Sequence, residues 1–64
     1  MGDFTRDVKR LLSRDGCSFV RHGKGDHEIW YTPILNRHFT VDGRIKKRSS
    51  ANETLKSAGI KEKL

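Results

Sequence analysis

Phe4, Val8, Leu11 and Leu12 recur at i, i+4, i+7 and i+8, a spacing that only a helix gathers onto one face. The pattern predicts a helix over residues 4–14, with Asp3 as its N-cap and Arg6, Lys9 and Arg10 on the opposite face. Asp15-Gly16 supplies the stop, because glycine adopts the left-handed conformation that ends many helices. The chain has 64 residues, which leaves room for one domain, residues 1–64. Such a short chain has one compact core, and the helical stripe must be buried in it.

The partner for that stripe follows in sequence. Residues 17–22 are partly β-branched and aromatic, Gly23-Lys24-Gly25-Asp26 forms a turn, and residues 27–32 make a second strand, together a hairpin. Pro33 ends this strand because it has no amide proton for a ladder, and residues 37–41 offer a third strand before the Asp42-Gly43 turn. Ser50-Ala51-Asn52-Glu53 fits a capping box and predicts a second helix beginning at Ser50. That helix turns Ala51, Leu55 and Ala58 inward and stops at Gly59, with Ile60 folding back beyond the cap. The expected fold is α+β in the order α-β-β-β-α, a three-stranded antiparallel sheet with both helices on one face. The chain has no repeat, low-complexity tract or linker.

Fourteen Lys and Arg against eight Asp and Glu give a formal charge of +6, spread from Arg6 to Lys63. Such an excess favours a polyanionic partner, since each cation that neutralises a phosphate releases a condensed counterion. An anionic membrane surface or plain solubility would use the same charges. Cys17 is the only cysteine, so no internal disulfide is possible, and its place beside Phe19 and Val20 marks it as a small core residue. The start of the chain lacks a signal-peptide apolar stretch, and no apolar run approaches the roughly 20 residues of a membrane span. The expected location is the cytoplasm.

Several side chains are candidates for chemistry. Trp30 and Tyr31 are adjacent and point to opposite faces of a strand. Parity sends Tyr31 inward with Ile29 and Trp30 outward, where its ring can stack on an unpaired base; a bulge near the turn would exchange them. Arg44, Lys46, Lys47 and Arg48 form the densest basic run, just ahead of a helix N-terminus that itself favours anions. Gly23-Lys24-Gly25 joins two strands and lacks the spacing of a nucleotide-binding loop. His22, His27 and His38 follow no usual structural zinc spacing, so neither metal nor cofactor is expected. His27 follows the turn directly, where a side chain is held at its base yet accessible, and imidazole exchanges protons near neutral pH. RNA carries its own nucleophile in the 2′-hydroxyl, so a base, an acid and cations suffice to cleave it without metal.

One combination of segments goes further: Gly16, Phe19-Val20-Arg21, Gly23-Lys24-Gly25-Asp26-His27-Glu28-Ile29-Trp30, Arg48-Ser49-Ser50-Ala51-Asn52 and Leu55-Lys56-Ser57-Ala58-Gly59-Ile60. In order and interval it resembles the HicA, or YcfA-like, toxin family of bacterial type II toxin–antitoxin systems, from the first helix to Ile60. The resemblance implies a fold like the double-stranded-RNA-binding domain. It also implies an mRNA endoribonuclease (mRNA interferase) neutralised by a cognate HicB-type antitoxin, with no direct role for DNA or membrane.

In the family, the catalytic histidine closes a Gly-Ser-His-like motif, a position that His27 of Gly25-Asp26-His27 occupies here. Asp replaces Ser at the middle position, and a carboxylate beside an imidazole favours the ring's charged form and repels phosphate. Many relatives continue the third strand as Val-Pro-x-His, whereas this chain has Val41-Asp42-Gly43-Arg44, so no role of a second histidine carries over. The expected site is thus His27 as the proton-transfer residue, with Lys24, Arg44, Lys46, Lys47 and Arg48 holding phosphate and Trp30 stacking. His22, across the hairpin, is a candidate second proton-transfer group. The alternative from another class is a non-catalytic RNA-binding module of the same fold. A DNA-binding helix-turn-helix fits poorly, because the middle of the chain is strand-forming.

Overall fold

The computed structural model describes residues 3–64; Met1 and Gly2, the start of the expected 1–64 domain, lie outside the described residues. The elements are α1 (Thr5–Arg14), β1 (Ser18–His22), β2 (Glu28–Thr32), β3 (Arg37–Val41) and α2 (Arg48–Ser57). The strands form one antiparallel sheet in the order β1-β2-β3. This is the expected α-β-β-β-α order.

Val8, Leu11 and Leu12 of α1 meet Ala51, Leu55 and Ala58 from α2 and its C-cap, together with Trp30, Phe39 and Val41 of the sheet, in one core. Cys17 belongs to the same cluster, as expected, although Phe19 and Val20, the apolar neighbours that suggested it, are exposed. Both helices end alike. Gly16 and Gly59 have positive φ, and the next amide reaches back five residues, Cys17 N to Leu12 O and Ile60 N to Leu55 O, each 2.9 Å. This double closure satisfies two orphan carbonyls and buries the residue after each glycine.

The helix starts differ from expectation. Phe4, not Asp3, is the N-cap of α1, although Asp3 Oδ1 still accepts from the Thr5 amide at 3.2 Å. The capping box does not form: α2 begins at Arg48 with Lys47 as N-cap, and Ser50 lies inside the helix, its carbonyl accepting from Thr54 Oγ1 at 3.0 Å. The reason lies with Ile45, which is fully buried. Its amide donates to Thr5 Oγ1 at 2.8 Å and its carbonyl accepts from Phe4 N at 2.7 Å. Pinned to the start of α1, the connector enters α2 soon after Ile45, earlier than the local signal indicates.

The two aromatic residues of β2 are also exchanged. Trp30 faces the helices at 6% exposure, opposite the buried Phe39 in register, so its ring does not project outward for stacking. Tyr31 is half-buried on the far face, its ring edge-on to His38 at 5.3 Å and its hydroxyl donating to Asn36 Oδ1. Polar partners decide the side: Trp30 Nε1 donates to Glu28 Oε1 at 2.9 Å, and Lys9 Nζ on α1 donates to Glu28 Oε2 at 3.1 Å. The indole therefore enters the core with its N–H satisfied. A bulge exists too, but in β1, between Phe19 and Arg21.

Candidate active site at the end of the sheet

The turn between β1 and β2 holds His27 from both sides of its backbone. Its carbonyl accepts from Gly23 N at 2.8 Å, its amide donates to Lys24 O at 3.0 Å, and Gly25 takes a positive φ of 59° to close the loop. The next residue, Glu28, is fixed by Trp30 and Lys9 as described. Burial alone pushes the Glu28 carboxyl up, but the hydrogen bonds from Trp30 and Lys9, with the Lys9 charge, outweigh it and hold it below its ordinary value. The imidazole thus projects from a fixed base, with 52% of its side chain exposed.

Across from it lies the end of β3. The ladder pairs Thr32 with Arg37 and ends with Glu28 opposite Val41, so His27 and Asp42 face each other one step beyond the strands. His27 Nδ1 stands 3.0 Å from Asp42 Oδ1. The following residue brings the two loops into close approach: a Cβ on Gly43 would collide with the Asp26 carbonyl oxygen, closer than any side chain tolerates. Glycine is required here by close approach rather than by φ.

Lys24, Gly25, Asp26, His27, Asp42, Gly43 and Arg44 line an open depression of about 580 Å³. Two of the expected cations, Lys24 and Arg44, are thereby brought beside His27. Arg48 turns elsewhere, its guanidinium 5.9 Å from the centre of the Phe4 ring. Lys46 and Lys47 are exposed on the connector and do not line the depression. Asp26 is exposed, and the carboxylate that reaches the imidazole is Asp42. His22 pairs with Glu28 rather than His27, stacks edge-on to Phe19 at 5.2 Å, and lines an adjoining groove with Gly25, Asp26, Gly43 and Arg44.

Asp42 is the residue that sequence reasoning missed, having assigned it only to a turn. The signal was nonetheless present: a four-residue loop, Pro33 to Asn36, pairs Thr32 with Arg37, and counting back along the ladder brings His27 to Asp42. No group of three or more His, Cys, Asp or Glu placed to hold a metal ion occurs among the described residues, and no described helix is long and apolar enough to cross a membrane.

Two helices over one face of a three-stranded sheet, and a half-exposed histidine set beside Lys24 and Arg44 at the sheet's end, define a small basic α+β protein with an open depression lined by charged residues. The model of the family described as HicA toxin of bacterial toxin–antitoxin matches residues 5–60, and the chain belongs to that family. No curated protein matches the chain, and no solved structure does. As a toxin of a toxin–antitoxin system, it has an antitoxin as its implied partner.

Proposed function

We propose that this toxin is a metal-independent endoribonuclease that cuts mRNA in the cytoplasm, with His27 as its proton-transfer residue and a HicB-type antitoxin as its inhibitor. The observation that carries this reading is the placement of His27: clamped through its backbone, half-exposed, and in one depression with Lys24 and Arg44. Histidine suits proton transfer at neutral pH, and two cations suit a phosphodiester whose charge grows in the transition state. His27 takes the 2′-hydroxyl proton or supplies one to the leaving 5′-oxygen. Lys24 and Arg44 hold the scissile phosphate, and Lys46, Lys47 and Arg48 attract the flanking backbone from the connector and the start of α2.

An end-labelled, unstructured transcript incubated with purified protein in EDTA tests this function. The expected result is cleavage that leaves a 2′,3′-cyclic phosphate and a 5′-hydroxyl. Retarded but intact RNA identifies a binding module instead. Cleavage abolished by EDTA rejects metal independence, and a 3′-hydroxyl product rejects attack by the 2′-hydroxyl.

A further inference from the structure

We infer that Asp42 is a positioning residue for the reaction, holding the proton of His27 on Nδ1 so that Nε2 meets the RNA as the base. The inference rests on the endoribonuclease reading and adds to it a residue and a direction of proton transfer.

Two independent features place Asp42 where it can act. The β2–β3 ladder sets it opposite His27, and the close approach of Gly43 to the Asp26 carbonyl places the end of β3 directly against the turn carrying the imidazole. The result is the 3.0 Å separation of Nδ1 and Oδ1. An ionised carboxylate only accepts hydrogen bonds, so a neutral ring facing it carries its proton on Nδ1 and leaves the Nε2 lone pair bare. A free histidine side chain favours the opposite tautomer, with the proton on Nε2, which cannot act as a base there. The charges around the depression sharpen the point: Asp42 sits with Lys24, Asp26 and Arg44. A carboxylate at a phosphate site opposes binding, and engagement with the imidazole gives it a reason to be present.

In the step that follows, Nε2 takes the proton of the 2′-hydroxyl as the 2′-oxygen bonds to phosphorus. The bond from phosphorus to the 5′-oxygen breaks, and the departing oxygen takes a proton from water. The products are a 2′,3′-cyclic phosphate and a 5′-hydroxyl, and the imidazolium returns its extra proton to solvent. The Nδ1 proton stays in place throughout, and Asp42 stabilises the imidazolium without becoming protonated.

The test combines kinetics with nitrogen-15 NMR of the imidazoles in the wild type, Asp42→Ala, Asp42→Glu and His27→Ala. The expected result is an Nδ1–H tautomer for neutral His27 in the wild type, reverting to Nε2–H in Asp42→Ala. Alongside it, kcat falls about 10- to 100-fold, by analogy with losing the hydrogen-bond partner that orients a metal-ligating histidine. KM stays level or drops, because a phosphate-repelling charge has been removed, and Asp42→Glu recovers part of kcat. A mere surface carboxylate predicts the opposite sign, a higher kcat/KM in Asp42→Ala. That outcome, an unchanged tautomer, or a loss confined to KM overturns the inference, while an inactive His27→Ala in the same series leaves the endoribonuclease reading standing. Full activity in His27→Ala overturns both.

Discussion

At the scale of single residues, Glu28 connects the core to the site. Its carboxylate accepts from Trp30 Nε1 and Lys9 Nζ, which settles the side of β2 that faces the helices and anchors the residue next to His27. The Glu28 carboxyl is held below its ordinary value, so its stabilising contribution is complete above the unfolded glutamate value of about 4.3. That contribution is lost as pH falls through the lower folded value. Glu28→Gln is therefore expected to lower unfolding free energy by about 1.5–3 kcal/mol at neutral pH, the range for hydrogen bonds to a charged group. The gap from wild type should close in strong acid, and urea denaturation at two pH values measures it; an equal gap at both would remove the charge from the explanation.

At the scale of elements, the decisive contact joins the β1–β2 turn to the end of β3. Gly43→Ala forces a methyl group into the Asp26 carbonyl, and the backbone must move apart. The expected cost is about 1–3 kcal/mol, as for overpacking elsewhere, with cleavage by the folded fraction reduced because Asp42 moves away from His27. A wild-type denaturation midpoint and wild-type activity would show that the loops do not need this close approach. Elements with local signals were legible in the sequence: the α1 stripe, the strands to within a residue, and both glycine closures. Two features set by distant partners were not. The start of α2 depends on Ile45 docking to Phe4 and Thr5, some forty positions away in the chain, and the orientation of Trp30 depends on a salt bridge from α1. The candidate site divides in the same way. His27, Lys24 and Arg44 come from a turn and a basic run, whereas Asp42 emerges only when two loops are placed in register.

At the scale of the whole molecule, the proposed function assigns the charge of +6 to general attraction of RNA and the depression to selecting which cations meet the scissile phosphate. Lys24→Ala and Arg44→Ala are each expected to reduce the slope of log K against log salt by about 0.7, the value for one phosphate contact on a single strand. Filter binding across a salt series measures this, and unchanged slopes would place the phosphate elsewhere. The proposed activity depends on His27, and its most direct test is cleavage of an unstructured RNA by His27→Ala in EDTA, with circular dichroism to establish folding. A fall of about 10²- to 10⁴-fold, the usual contribution of a general acid or base, is the predicted result. Undiminished cleavage by the folded variant would contradict it.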